Sequence, residues 1–124
     1  MSSHHHTIIV VDDDIALQAV LEYVLMQSGY SVLLASDGRE GLKIIEHSNI
    51  SLIISDIMMP DIDGIELFQL YKEKAQEVGI PVIIMTAMKR KPWFADLEAE
   101  GAVIIHKPFE VDKLLEVINV ALSD

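Results

Sequence analysis

Cysteine is the first absence that matters, because none occurs among the 124 residues. Disulfide bonds and thiolate metal sites are therefore excluded, and the sequence suits a reducing compartment such as the cytoplasm. Basic residues are also scarce, since 9 Lys and Arg stand against 20 Asp and Glu and leave a formal net charge of −11. Nucleic-acid phosphates are bound by clusters of Lys and Arg. Direct binding to nucleic acid is therefore not expected.

Long apolar runs are missing as well. No stretch approaches the roughly 18 apolar residues of a membrane-spanning helix, so no contact with a membrane is expected. The N-terminus lacks the basic, apolar and cleavage regions of a secretory signal. Residues 1–6, which end in three His, are expected to be an expression tag or a disordered N-terminus. Residues 7–124 are expected to form a single domain.

The sequence alternates five times between short apolar runs and stretches with helical spacing. The apolar runs are continuous and rich in β-branched residues, which is typical of strands buried on both faces. They lie at residues 8–11, 32–35, 52–54, 82–85 and 103–105. The helical stretches lie at residues 17–25, 37–45, 67–78, 92–101 and 111–122. The pattern predicts an α/β fold, (βα)5, with a doubly wound five-stranded parallel sheet. No output domain is expected within this sequence.

Several residues indicate where the helices begin. Asp14 is expected to cap the first helix, and Asp37 with Glu40 resembles the capping box of the second. Pro92 suits the first position of the fourth helix. Trp93 beside it fits either core packing or an anchor for a partner protein.

Carboxylates follow two of the predicted strands. Asp12 and Asp13 come after the first strand, and Asp56 follows the third. If these strands are neighbours, the three side chains converge, and two carboxylates about 4 Å apart repel by roughly 4 kcal/mol at an effective dielectric of 20. Either a bound cation or protonation of one carboxylate can relieve this repulsion. The cluster therefore predicts a Mg²⁺ site that also accepts phosphate. Helix capping is the plainer alternative, but a cap explains only one Asp at a junction.

Two further side chains follow strands at the same edge. Lys107 comes after the fifth strand and can pair with Asp56 and with a phosphoryl oxygen. Thr86 closes the fourth strand and can donate a hydrogen bond from its hydroxyl group. Each is a weak signal alone, and together with the carboxylates they indicate chemistry on phosphate.

These residues resemble the receiver domain of two-component response regulators. The resemblance extends from about Thr7 to the C-terminus and rests on order and spacing. Its motifs are Asp12-Asp13, Asp56 within Ser55-Asp56-Ile57-Met58-Met59-Pro60-Asp61-Ile62-Asp63-Gly64, Thr86-Ala87 and Lys107-Pro108-Phe109. It implies a flavodoxin-like strand order of 2-1-3-4-5.

The resemblance also implies a role for each residue of the cluster. Asp56 would accept a phosphoryl group from the phosphohistidine of a sensor histidine kinase or a phosphotransfer protein. Asp13 and Asp56 would bind Mg²⁺ directly, Asp12 through a water molecule, and Met58 through its backbone carbonyl. The protein would assist only its own phosphorylation and dephosphorylation and would not be an enzyme.

Around the phosphoryl group, the resemblance implies contacts from Lys107, the hydroxyl of Thr86 and the backbone of Ala87. It further implies a cis peptide between Lys107 and Pro108. A shift of Thr86 would carry the signal to the face of the fourth helix, fifth strand and fifth helix, where an output domain or target protein binds. The protein would be a monomer or a phosphorylation-dependent dimer.

One position departs from the family. Ile104 stands where receivers usually have a Tyr or Phe that moves with Thr86, so the aromatic part of the switch is in doubt. This departure favours one alternative, a receiver-like interaction domain that works without phosphorylation. Another alternative is a Mg²⁺-dependent phosphatase that uses Asp12 and Asp14, but the chain has no length for the cap that such enzymes need.

Overall fold

The computed structural model describes residues 5–57 and 64–123, with residues 64 and 73–78 described by their backbone alone. Strands and helices alternate along the chain, as predicted. The strands are β1 (Thr7–Val11), β2 (Ser31–Ala35), β3 (Leu52–Asp56), β4 (Val82–Thr86) and β5 (Val103–His106). The helices are α1 (Ile15–Gln27), α2 (Gly38–His47), α3 (Gly64–Val78), α4 (Phe94–Ala99) and α5 (Val111–Leu122).

All strands form one parallel sheet in the order β2-β1-β3-β4-β5, which confirms the order that the resemblance implied. Side chains alternate between the two faces of the sheet. Ile8 and Val10 face a core built with α1 and α5. Ile9 and Val11 face a second core built with α2, α3 and α4. The sheet is therefore doubly wound, with helices packed on both sides.

Side-chain caps begin two of the helices. The carboxylate of Asp14 accepts a hydrogen bond from the backbone N–H of Leu17 at 3.1 Å and caps α1 as predicted. The carboxylate of Asp37 accepts from the N–H of Glu40 at 2.8 Å, while the Glu40 side chain accepts from the N–H of Ser36. The predicted capping box is therefore present, with its return bond one residue before the cap.

Three structural expectations from the sequence are wrong in part. Burial on both faces holds for β1, β3 and β4, but β2 and β5 are edge strands and remain partly exposed. Pro92 lies in a turn, and α4 begins two residues later at Phe94. The helical spacing of residues 17–25 also predicts Val20 in the apolar stripe of the first helix, but its side chain faces solvent. Within the described ranges, no helix combines the length and the apolarity that crossing a bilayer requires.

Tyr71 on α3 places a polar hydroxyl group in the apolar core. Its side chain is 3% exposed and packs in the core beneath α2, α3 and α4. Its hydroxyl has no hydrogen-bond partner in the part of the chain that the structure describes. Burial, with a smaller contribution from the Glu46 carboxylate, raises the pKa of this hydroxyl. An unpaired buried hydroxyl costs about 1–3 kcal/mol.

Replacement of Tyr71 by Phe removes this hydroxyl and keeps the ring. We expect Tyr71→Phe to raise the free energy of unfolding by about 1 kcal/mol, measured by urea denaturation. Tyr23→Phe is the matched control, because Tyr23 is exposed and its hydroxyl is already hydrated. Equal stability of the Tyr71→Phe protein and wild type would show that the hydroxyl has a partner such as a buried water.

Candidate functional site

Three carboxylates meet at the carboxyl edge of the sheet. Because β1 and β3 are neighbours and Val11 lies opposite Ser55, the residues that follow these two positions emerge side by side. One carboxylate oxygen from each of Asp12, Asp13 and Asp56 lies within 4.8 Å of the others. Asp12 is 2% exposed, Asp56 is partly buried and Asp13 is open to solvent. The convergence that the sequence predicted is therefore present.

Lys107 reaches this cluster from the far edge of the sheet. Its ammonium donates to Asp56 Oδ2 at 2.9 Å and to Asp12 Oδ2 at 3.2 Å. Its backbone N–H donates to the carbonyl of Thr86 at 2.6 Å, which fixes the start of the side chain at the end of β4. The Lys107–Pro108 peptide is cis, as the resemblance implied. One cation thus bridges two of the three carboxylates.

Backbone donors hold the second carboxylate oxygen of Asp12 and of Asp56. Asp12 Oδ1 accepts from the N–H of Asp14 at 2.9 Å, and Asp56 Oδ1 accepts from the N–H of Ile57 at 2.6 Å. These short local bonds fix the rotamer of each side chain. The two carboxylates are therefore oriented before any ligand binds.

The electrostatics of the site follow from this crowding. Burial raises the pKa of Asp12, and the Asp56 charge adds to the effect, while the Asp14 N–H and Lys107 oppose it. Burial alone would lower the pKa of Lys107, but its bonds to Asp56 and Asp12 outweigh burial and raise it. The charged form of Lys107 is therefore stabilised, while burial makes ionisation of the Asp12 carboxyl unfavourable.

The donor set fits a hard divalent cation. Hard cations favour carboxylate oxygens, and among the described residues three carboxylates lie here beside one ammonium. Exposed Asp13 leaves one side of the cluster accessible to a hydrated ion. The cluster can therefore hold a metal ion. The predicted carbonyl ligand, Met58, lies outside the described residues.

Thr86 ends β4 beside the cluster, and its side chain is buried. Its hydroxyl oxygen accepts from the backbone N–H of Met88 at 2.9 Å, so the hydroxyl hydrogen is left to donate elsewhere. Ala87, between them, is exposed. The structure thus ties Thr86 to the loop that follows β4.

Ile104 packs where the family aromatic is usually found. Its partly buried side chain rests on the core together with Met88 and Trp93. The Trp93 ring meets the Phe94 ring edge-on at 4.6 Å between centroids. These contacts support core packing for Trp93 over the alternative of a free anchor.

Two polar residues near the site were missed by sequence reasoning. Gln18 is a buried polar residue in a helix whose other buried residues are apolar, and that interruption was the available signal. His106 donates from its ring Nδ1 to the carbonyl of Met88 at 3.2 Å, and its ring lies 6.0 Å from that of Phe94. No sequence signal distinguished His106 from any exposed histidine.

Comparison with known proteins gives consistent matches. A family model described as a response regulator receiver domain matches residues 8–119. The transcriptional regulatory protein FixJ of Bradyrhizobium diazoefficiens is 36% identical over 112 residues, which are 90% of this chain and 54% of FixJ. The chain therefore spans about half the length of that relative.

Solved structures are similar over nearly the whole chain. The chemotaxis protein CheY4 of Vibrio cholerae matches with a TM-score of 0.86 at 28% identity, covering 96% of this chain and 100% of that one. The response regulator protein TrrA of Thermotoga maritima, in complex with Mg²⁺-BeF, matches with a TM-score of 0.82 at 31% identity. That match covers 94% of this chain and 99% of TrrA.

The raised pKa of Asp12 gives a prediction for the metal-free protein in chelator. A carboxyl whose pKa is higher folded than unfolded destabilises the fold when ionised, and this penalty fades as pH falls through the folded pKa. We therefore expect Asp12→Asn to be more stable than wild type at pH 7, with a gain that shrinks as the solution is acidified. Urea denaturation between pH 4 and 8 measures it.

The matched control is Asp14→Asn, because Asn keeps the cap of α1 and leaves the ion pair of Asp12 with Lys107 intact. Its stability should stay close to wild type across the same range. A gain for Asp12→Asn that is constant with pH, or that grows in acid, would contradict the assignment of the penalty to the ionised Asp12.

Proposed function

Because the chain belongs to the receiver domain family of response regulators, we propose that Asp56 is the phosphoacceptor of a two-component phosphorelay. The observation that carries the proposal is the Lys107 ammonium bridging Asp56 and Asp12 inside the cluster of three carboxylates. An isolated acidic cluster binds cations. A cluster with a fixed lysine also offers a cationic donor to an incoming phosphoryl oxygen.

The reaction is a transfer to a carboxylate oxygen. An oxygen of Asp56 attacks phosphorus, and the bond from phosphorus to the donor, a kinase phosphohistidine, breaks as the imidazole leaves. The Lys107 ammonium now pairs with Asp12 and Asp56. It would also donate to a phosphoryl oxygen and offset part of the negative charge of that group. Mg²⁺, when bound, supplies further positive charge to the same oxygens.

The resemblance to receiver domains implies which residues would hold Mg²⁺. Asp13 and Asp56 would be direct ligands, Asp12 would act through water, and the Met58 carbonyl would complete the protein's share. Mg²⁺ is favoured over larger cations because it retains several waters and needs few carboxylates. The buried position of Asp12 behind Lys107 supports an indirect role.

Thr86 and Ala87 would contact the phosphoryl oxygens that face away from Mg²⁺. The hydroxyl of Thr86 would donate to one phosphoryl oxygen, and the backbone N–H of Ala87 to another. Turning Thr86 toward the phosphoryl group strains its bond with the Met88 N–H. The loop after β4, whose Met88 packs against the same core cluster as Ile104, would then move.

The moving loop borders the face of α4, β5 and α5, where an output domain or protein target would bind. The protein would work as a cytoplasmic switch and not as a turnover enzyme. It would not bind nucleic acid itself, and its state, monomer or phosphorylation-dependent dimer, stays a prediction. The intact set of Asp56, Lys107 and Thr86 favours phosphorylation over a phosphorylation-independent role.

The direct test is acetyl phosphate with Mg²⁺, followed by intact-mass spectrometry. We expect wild type to gain the mass of one phosphoryl group, and Asp56→Asn to gain none because it lacks the nucleophile. Glu46→Gln, which changes an exposed carboxylate in the last turn of α2 toward the amino edge of the sheet, is the control and should be labelled like wild type. Labelling of the Asp56→Asn protein at the wild-type rate would place the acceptor elsewhere.

The outer face of α1 is the surface we assign to the phosphodonor protein. It is apolar although exposed, with Tyr23 67% accessible and Ile15, Val20 and Met26 also open to solvent. A helix that is apolar all round is normally covered. Ile15 begins the helix directly after Asp12, Asp13 and Asp14, so a protein bound to this face would lie beside the acidic cluster.

This assignment separates two routes to the same product. With a histidine kinase that phosphorylates wild type, we expect the double variant Tyr23→Ser and Met26→Ser to slow transfer about tenfold or more, because apolar anchors dominate interface energy. Labelling by acetyl phosphate should be unchanged, since the small donor needs no docking surface. Stopped time courses of labelled phosphate measure both.

Leu70→Ser on α3 is the matched control, because it removes an equally exposed apolar side chain from the opposite side of the sheet. Kinase transfer to this variant should match wild type. Loss of both kinase and acetyl phosphate labelling in the α1 variant would point to damage at the acidic cluster in place of lost docking.

A further inference from the structure

Gln18 is a buried amide placed directly beneath the acidic cluster. It lies one turn into α1, is 4% exposed, and points toward the sheet between the ends of β1 and β2. The other buried residues of this helix, Leu21 and Leu25, are apolar. A buried polar side chain is favourable only where its hydrogen bonds are made.

The amide makes those bonds to two different strands. Its Nε2 donates to the carbonyl of Asp12 at 2.5 Å and to the carbonyl of Ala35 at 3.1 Å, with the Ser36 hydroxyl at 3.3 Å as a further acceptor. The Ala35 carbonyl also accepts from the N–H of Asp12 at 3.0 Å. Both hydrogens of the amide are thus used where the two strands end.

The bond to the Asp12 carbonyl matters most, because that carbonyl belongs to the peptide that joins Asp12 to Asp13. The pairing of β1 with β2 and β3 ends at Val11, so the sheet no longer sets the orientation of this peptide. Gln18 holds its carbonyl side, while the N–H of Asp14 holds the Asp12 carboxylate. The orientation of the Asp12–Asp13 peptide sets the direction in which the Asp13 side chain projects from the backbone.

We propose that Gln18 is a positioning residue for Mg²⁺, acting through the Asp12–Asp13 peptide; the inference rests on the proposed function of the cluster. Residues that orient metal ligands from behind typically account for about 10- to 100-fold in metal affinity. A purely structural role predicts something different. Loss of the amide would then lower stability and leave Mg²⁺ affinity unchanged in the folded protein.

The test replaces Gln18 with Met, which is close in size and cannot donate. We expect Gln18→Met to remain folded by circular dichroism and to bind Mg²⁺ about tenfold more weakly than wild type in calorimetric titrations. In acetyl phosphate labelling, the Mg²⁺ concentration at half-maximal rate should rise by the same factor. The rate at saturating Mg²⁺ should stay near wild type, because Asp56 and Lys107 are untouched.

Gln27→Met is the matched control, since it makes the same change at the exposed end of the same helix. Its Mg²⁺ affinity should equal that of wild type. If Gln18→Met does not fold, Gln18→Asn serves instead, because it keeps the amide but is one methylene too short to reach the Asp12 carbonyl. Wild-type Mg²⁺ affinity in a folded Gln18 variant overturns the inference.

Failure of the proposed function gives a different result. A wild-type protein that binds Mg²⁺ but takes no phosphoryl group would overturn the role of Asp56, while weaker Mg²⁺ binding by Gln18→Met would still support Gln18. A wild-type protein that binds no Mg²⁺ would overturn both.

Discussion

The crowding of three carboxylates at one sheet edge is the constraint on which the rest of the site depends. Their oxygens lie within 4.8 Å of one another, and one of the three residues is almost fully buried. Such a group is stable only if positive charge and hydrogen-bond donors surround it. Lys107 provides the charge, and the backbone N–H groups of Asp14 and Ile57 provide the donors.

The fold supplies these partners from distant parts of the chain. Parallel pairing brings the ends of β1, β3 and β4 to one edge, and β5 places Lys107 at the same level through its backbone bond to Thr86. Gln18 of α1 donates to the carbonyl of the peptide that joins Asp12 to Asp13. Each contribution is a directional bond to a fixed backbone, so the cluster is oriented by the scaffold and not by the ligand.

Much of this was predictable from sequence because it rests on periodicity and on strand ends. Continuous apolar runs identified the strands, and carboxylates directly after two of them predicted the cluster. The exposure of β2 and β5 was not predictable, because an apolar run does not reveal which strands lie at the edges. The late start of α4 also escaped, since Pro92 is equally compatible with a turn and a first helical position.

The residues that were missed share a physical reason. Gln18 and His106 act through contacts to backbone carbonyls, and such contacts depend on the fold more than on residue type. A glutamine in an apolar helix can be buried or turned outward, and only the position of the strand ends decides. Pattern reasoning therefore finds groups that carry the chemistry more readily than groups that orient them.

His106 and Lys107 show how the site and the loop after β4 are joined without a large aromatic at position 104. They are consecutive, and one reaches the carboxylates while the other holds the Met88 carbonyl. The Met88 N–H in turn donates to the Thr86 hydroxyl oxygen, so both the N–H and the carbonyl of Met88 are hydrogen-bonded. Ile104 adds only apolar packing to this arrangement. If Thr86 moves toward Asp56, the movement therefore acts on Met88 through its N–H. The hydrogen bond from His106 to the Met88 carbonyl then either holds the loop in place or carries the movement to β5.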